Sequence, residues 1–540
     1  MITFFAALVL LILGYLVYGA FVTKVFAPDD RETPCVRLED GVDYVPISAG
    51  RAFLIQLLNI AGLGPIFGAL SGAIWGPQVY LWIVFGTILA GAVHDYLVGM
   101  LSMRNDGASV SEITGKYLGG LMKNIMRIFS VVLLVMVGVV FMVGPAGLLA
   151  MMITEGAGAA AAGAGSVAKT VMGYDVKQWT EILTVVILIY YFLATLLPID
   201  KVIGKIYPLF GLCLIFMAVG IAGVTVYNHV NGIKPMIELW EGFYNMHPKA
   251  ATTPIWPLMF ITVACGAISG FHATQSPMMA RCLTSERQGR FVFYGAMVAE
   301  GIIALIWAAA GIAFYNVFNA DGSVSFTTQG LLAMKGGNSA TVYQISVGLL
   351  GTVGSILALL GVVACPITSG DTAFRSARLT LADWFGIPQK GFLPRLILAV
   401  PLLAAGYAIS FVEYGIVWRY FSWSNQTLAM IALWAAAAYL EKDFPGRGFF
   451  AAVPATFMSA VSVTYFCFAD ECYPALIRGI RMLMDWMNGK GWISLTGSAI
   501  PETFNSMAVS TAYGIGIGVA LLFFAIYCLK VSPLGKNRGE

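Results

Sequence analysis

Apolar runs of 18 or more residues recur along the whole chain, separated by polar connections. A helix of that length crosses about 30 Å of hydrocarbon, the thickness of a bilayer core. The runs lie near 2–23, 52–75, 78–101, 127–152, 181–198, 206–228, 254–275, 291–318, 342–366, 393–412, 418–439, 448–468 and 510–529. They predict an all-α integral membrane protein of about 13 transmembrane helices. Two runs are interrupted at their centres. One reads Asn59-Ile60-Ala61-Gly62-Leu63-Gly64-Pro65; the other reads Cys265-Gly266-Ala267-Ile268-Ser269-Gly270-Phe271-His272-Ala273-Thr274-Gln275-Ser276-Pro277. Unpaired backbone groups are costly in hydrocarbon, so such a break persists only where it lines a cavity or is buried in protein. Paired breaks at corresponding positions of two halves point to a transporter's binding site.

Composition agrees with the pattern. Hydrophobic residues make up 59% of the 540 and charged residues 11%, against roughly 25% charged in soluble domains. The first run carries no basic residue ahead of it and Lys24, Arg31, Arg37 and Arg51 behind it. A secretory signal has the reverse polarity and a shorter apolar core, so a retained helix with its N-terminus outside is expected. Alternating sides from there puts most of the lysines and arginines on one face, which implies a cytoplasmic C-terminus. The net charge of +3 reflects this asymmetry and gives no reason to expect nucleic-acid binding. Eight scattered cysteines show no Cys-x-x-Cys or Cys/His spacing that suggests zinc. Cys467 and Cys472 near the external face are either a disulfide, if the compartment is oxidising, or two unrelated thiols.

Setting the first span aside leaves ten core helices, the first and sixth of them broken and entering from opposite sides. That is the signature of an inverted repeat. It resembles the LeuT-like fold of the amino acid–polyamine–cation superfamily, a 5+5 inverted repeat. The division expected is a flanking helix over 1–24, halves over 52–228 and 254–439, and C-terminal flanking helices over 448–530. The small-residue run Glu155–Gly165 reads as an external loop or a close helix contact. The stretch Ile477–Met487, with Trp486 and Trp492 nearby, reads as interfacial.

The breaks carry the candidate chemistry. Gly62 and Gly64 permit unusual backbone angles, and Pro65 suits the start of a half-helix. Freed amides around Gly64, Pro65 and Ile66 favour an anionic group, and the Ala61 carbonyl before them a cation. Gln56 and Asn59, three apart, share a face. A glycine kink that only tightens helix packing is the competing reading. In the second break Ser269, Gly270, Phe271, His272 and Gln275 are candidate substrate contacts. His272 can hold a carboxylate or carry a proton, unless Ser276-Pro277 is merely a helix cap and His272 lies in water at the span's end.

His94-Asp95 inside the second core helix is either a proton relay or an interfacial patch meeting loop residues such as Arg104. Glu300, deep in an apolar run, must be protonated or paired, with no partner legible in the sequence. The LeuT-like resemblance implies a sodium site at Thr368 and Ser369 with the Ala61 and Gly64 carbonyls, although either hydroxyl can equally cap a helix. Asp371-Thr-Ala-Phe-Arg375-Ser-Ala-Arg378 then reads as a cytoplasmic amphipathic segment. Trp423-Ser-Asn425-Gln426 is a further polar cluster near the path. There is no P-loop, no His-Glu-x-x-His and no dinucleotide loop.

A family resemblance runs over most of the chain. Tyr18-Gly19, Thr33-Pro34, Asp40-Gly41-Val42-Asp43-Tyr44-Val45-Pro46, Ile60 through Ile66, Gly91-Ala92-Val93-His94-Asp95, Ser269 through Pro277 and Asp371-Thr372-Ala373-Phe374-Arg375 are similar to the carbon starvation (CstA-type) membrane proteins. The resemblance implies a bacterial or archaeal inner-membrane symporter used in nutrient limitation, taking pyruvate or small peptides. It implies no enzyme activity, no cofactor, and a proton or Na+ as coupling ion. A membrane nutrient sensor that keeps the fold, and an intramembrane enzyme using His94/Asp95 or His272, are the other readings.

Overall fold

The computed structural model describes the chain apart from residues 42–43, 156–169, 197–198, 320, 322–323, 334–336, 389–391, 471, 475, 477–508 and 532–540. Most of the Glu155–Gly165 run and the Ile477–Met487 stretch with Trp486 and Trp492 therefore lie outside the described residues. The protein is a bundle of long helices. A two-stranded hairpin, Val317–Phe318 with Val324–Ser325, is the sheet among the described residues.

In chain order the main helices are α1 (Ile2–Phe26), α2 (Ala49–Ile60), α3 (Gly64–Trp75), α4 (Val79–Arg104), α5 (Val110–Leu118) and α6 (Gly120–Glu155). Next come α7 (Val176–Leu196), α8 (Ile199–Val230), α9 (Ile255–Val263), α10 (Gly270–Ala280) and α11 (Glu286–Phe314). The last are α12 (Gly337–Phe385), α13 (Phe392–Ile409), α14 (Tyr414–Asp443), α15 (Phe449–Phe468) and α16 (Val509–Val531). Among the described residues, ten spans are long and apolar enough to cross a membrane, α9 and α10 counting as one; α2 with α3, bent by 54° at the first break, makes an eleventh. The remaining two expected crossings fall within α12 and α14, both long enough to span. α14 is polar for a membrane helix because Ser422, Ser424, Asn425, Gln426 and Thr427 are all buried against protein; a helix that does not face lipid needs no apolar surface.

Two shells follow from burial. The most apolar windows of α4 and α11 are 83% buried, while those of α7, α13 and α16 are 22% buried and turn their surfaces to lipid. Lipid is as apolar as leucine, so helix association depends on close packing of small residues instead. The breaks show this. A Cβ on Gly64 would stand 2.5 Å from Cys265 Sγ, and one on Gly62 would stand 2.7 Å from the Phe141 ring. These glycines are required by close approach. Neither has a positive φ, contrary to the expectation of unusual backbone angles; the left-handed residue is Ala264 (φ 44°), at the end of α9. The second break runs over Ala264–Ser269 and the first over Ala61–Leu63, each beginning one or two residues ahead of its first glycine.

The Asp371–Arg378 segment corrects its sequence reading. α12 continues unbroken through Pro366 to Phe385, and Asp371, Thr372, Arg375 and Arg378 are all buried, with Arg375 Nη2 donating to the Ala194 carbonyl at 2.5 Å. A cytoplasmic amphipathic face would be half exposed. Cys467 and Cys472 are both buried and carry separate thiols.

Candidate functional site

The second break threads a line of ionisable side chains through the centre of the bundle. Asp95, on α4, has His94 Nδ1 at 2.8 Å from Oδ1 and His272 Nδ1 at 2.8 Å from Oδ2. The other nitrogen of His272, Nε2, lies 3.2 Å from Glu300 Oε2 on α11. All four side chains are sealed from solvent. His272 is placed by the break itself: α10 begins at Gly270, so the third residue of the new half-helix turns toward α4 rather than completing a turn of α9. A Cβ on Gly270 would meet the Ala429 amide nitrogen at 2.7 Å, which holds the α10 start against α14.

Burial of His94-Asp95 excludes the interfacial patch. Arg104, the loop partner expected for it, instead pairs with Glu286 at 2.8 Å and donates to the Tyr439 hydroxyl at 2.9 Å. His272 is likewise buried rather than wet. Glu300 acquires the partner that its position demanded.

Nδ1 of His94 and Nδ1 of His272 each face one oxygen of Asp95, which leaves both Nε2 atoms turned away from that carboxylate. His272 Nε2 and Glu300 Oε2 are at ion-pair distance without the alignment of a hydrogen bond. Both Glu300 oxygens, both histidine Nε2 atoms, Gln56 Oε1 and Gln275 Oε1 lack protein hydrogen-bond partners. Buried polar atoms are seldom left so.

Asn425 was weighed in the sequence only as part of a polar cluster. It caps the second half-helix. Its Oδ1 accepts from the Phe271 N–H at 2.7 Å and lies 3.1 Å from the Ser269 hydroxyl, and its Nδ2 donates to Cys265 Sγ at 3.3 Å. Around the first break the Ile66 and Phe67 amides donate to the Leu63 carbonyl at 3.2 and 2.7 Å. The Ile66 and Phe271 amides are therefore engaged in this state. Gln56 and Asn59 are buried on the inner face of α2, with Gln56 Nε2 at 3.5 Å from the Ser276 hydroxyl. Gln275 Nε2 donates to Thr274 Oγ1 at 2.9 Å.

The hydroxyls on α12 stand apart from the ionisable line. Thr368 Oγ1 donates to the Cys365 carbonyl at 2.7 Å, and Ser369 Oγ lies 3.0 Å from that carbonyl and 3.1 Å from the Leu58 carbonyl of α2. Ser369 thereby reaches α2 a turn before the break, while Thr368 stays within its own helix. A different donor set lies at the second break: Cys265 Sγ, His272 Nε2 and a Glu300 oxygen fall within 4.8 Å of one another. A cavity of about 750 Å³ lies elsewhere, an apolar groove lined by Trp82, Phe85, Phe260, Val453 and Phe457.

Other proteins are similar to this chain in sequence. A family model described as carbon starvation protein CstA matches residues 1–171 and 146–342. An uncharacterized membrane protein of Haemophilus influenzae is 46% identical over 341 residues, covering 58% of this chain and 92% of that protein. The peptide transporter CstA of Bacillus subtilis is 29% identical over 517 residues, covering 81% and 84%. The pyruvate/proton symporter BtsT of Escherichia coli is 29% identical over 350 residues, covering 55% and 46%. The solved structure of MhsT in complex with L-phenylalanine aligns at TM-score 0.49 and 13% identity, over 88% of this chain and 97% of that one. By the family model, the chain is a multi-pass membrane protein that belongs to the carbon starvation protein CstA family.

Proposed function

We propose that the protein is a secondary active importer of small carboxylate-bearing solutes, pyruvate or short peptides, coupled to the inward movement of protons across a bacterial or archaeal inner membrane. One observation carries the reading: His94, Asp95, His272 and Glu300 form a continuous buried line through the second helix break. Ionisable groups at membrane depth are expensive and mark ion pathways or proton relays. The names of the relatives in Bacillus subtilis and Escherichia coli support the solute classes. The N-terminus lies outside and the C-terminus in the cytoplasm, as the lysine and arginine distribution favours.

Asn425 supplies the acceptor oxygen at the start of α10 in the closed state. A substrate carboxylate takes over that role when it enters, meeting the Phe271 amide and the Ser269 hydroxyl, with Gln56, Asn59 and Gln275 around it and the Gly62–Ile66 turn opposite. Half-helix starts favour anions for the reasons that make any helix N-terminus an anion site. Proton occupancy of the line then sets which face opens. Sodium at Thr368 and Ser369 is the alternative coupling ion.

The test is uptake of labelled pyruvate and a labelled dipeptide into proteoliposomes under a proton gradient, a sodium gradient or neither. Accumulation driven by the proton gradient alone is expected. Accumulation driven by sodium alone moves coupling to α12, and binding without accumulation makes the protein a sensor.

A further inference from the structure

We propose that Cys265, His272 and Glu300 form a three-ligand site for a divalent ion of the zinc class, with a fourth coordination position left open. The three side chains are buried, and their donor atoms lie within 4.8 Å of one another. Thiolate, imidazole and carboxylate together suit zinc-class ions, whereas sodium, magnesium and calcium take oxygen sets.

The geometry around each ligand agrees. His272 Nε2 and Glu300 Oε2 are 3.2 Å apart with no hydrogen bond aligned between them. Zinc bonds of about 2.0–2.1 Å at a tetrahedral angle put two such atoms about 3.3 Å apart. His272 donates its other nitrogen to Asp95, the carboxylate–histidine arrangement that orients metal-bound imidazoles, and Asp95 is held in turn by His94. Cys265 Sγ accepts from Asn425 Nδ2 at 3.3 Å and has the Ser269 hydroxyl at 3.3 Å, two donors suited to a thiolate. Neither Glu300 oxygen has a hydrogen-bond partner. From within 4.8 Å the sulfur closes in by at most about 1 Å to complete a tetrahedron with a Zn–S bond of about 2.3 Å. Binding expels the thiol proton to solvent.

The proposal rests on the transport reading only in sharing His272 and Glu300. A metal on those atoms occupies the places a coupling proton uses, so zinc arrests uptake. Three protein ligands with an open fourth position are typical of zinc sites that admit an exchangeable group.

The experiment uses the purified, chelator-stripped full-length protein in detergent, titrated with Zn2+ by calorimetry and with Co2+ by absorption spectroscopy. One saturable site per chain is expected, with a thiolate-to-cobalt charge-transfer band. Cys265→Ser abolishes the band and weakens binding at least about tenfold, and Asp95→Asn weakens it about 10–100-fold. Size-exclusion elution and thermal melting show whether each variant is folded, and the cobalt spectrum of the unmodified protein stands without them. A spectrum lacking the thiolate band overturns the proposal. So does zinc affinity unchanged in a folded Cys265→Ser protein, which places the metal at exposed groups. Binding is read without transport, so a failure of proton coupling leaves it standing.

Discussion

Placing one methyl group at Gly64 tests how the two breaks are held together. The Cβ of Gly64→Ala would stand 2.5 Å from Cys265 Sγ and closer still to its Cβ, well inside ordinary contact at 3.4–4 Å. Retreat is restricted on the α9 side. Cys265 follows Ala264, the residue with a left-handed backbone, and its sulfur is in contact with Asn425 and Ser269. Over-packing a tight contact costs about 1–3 kcal/mol, and moving the sulfur also forfeits the Asn425 hydrogen bond, about 1 kcal/mol. The variant should therefore lose about 2–4 kcal/mol, summing those two costs. The assay is reversible unfolding in mixed micelles titrated with SDS, run as a double-mutant cycle with Cys265→Gly, which removes the atoms the new methyl strikes. The cycle should show a favourable coupling of about 1–3 kcal/mol. Additive effects, or a Gly64→Ala protein as stable as the unmodified one, would refute the close contact. Gly64→Leu should abolish uptake while the protein still inserts.

Further outcomes follow from other contacts. Breaking the buried Arg104–Glu286 pair with Glu286→Gln should destabilise the protein by about 3–5 kcal/mol in the same SDS titration, while the double replacement Arg104→Met/Glu286→Leu should cost less than the single one. Asn425→Ala removes the cap on α10 and should cost about 1–2 kcal/mol; saturating pyruvate should restore part of that loss in a thermal-shift measurement, more than it stabilises the unmodified protein. Burial pushes the Glu238 carboxyl up, but the N-terminal ammonium and the hydrogen bonds from Thr3 and Ile2 outweigh it and lower it from 4.5 to about 2. Because this carboxyl is depressed in the folded protein, its stabilisation is complete above about pH 4.5 and is lost as the pH falls toward 2. Glu238→Gln should accordingly narrow its stability deficit against the unmodified protein over that window, seen as converging melting curves.

Much of the fold was legible because length and hydropathy decide where a chain can cross a bilayer, and because glycines and polar residues mid-span have few other uses. The break positions were read a residue or two late: Gly62, Gly64 and Gly266 mark where the side chains of Phe141, Cys265 and Ala304 press against the chain, while the chain turns at Ala61 and Ala264. Glu300 announced a missing partner but could not name it, since that partner, His272, lies on α10, which is packed against α4. Cys265 and His272 are seven residues apart, which on a continuous helix would signal two turns of one face; the intervening break gives them a different geometry, so no zinc spacing could be recognised. Asp371 and Arg375 read as a cytoplasmic face because nothing in the sequence shows that α12 stays buried as far as Arg378.

The central claim is that protons move through the His94–Asp95–His272–Glu300 line, and Glu300→Gln tests it most directly because glutamine keeps the shape and removes the ionisable group. Proteoliposomes containing each protein would be compared in two modes: accumulation of labelled pyruvate or dipeptide driven by an inward proton gradient, and exchange of labelled for unlabelled solute with no gradient. The account predicts that the unmodified protein performs both, while Glu300→Gln retains exchange and loses gradient-driven accumulation. Undiminished proton-driven accumulation by the Glu300→Gln protein would contradict it.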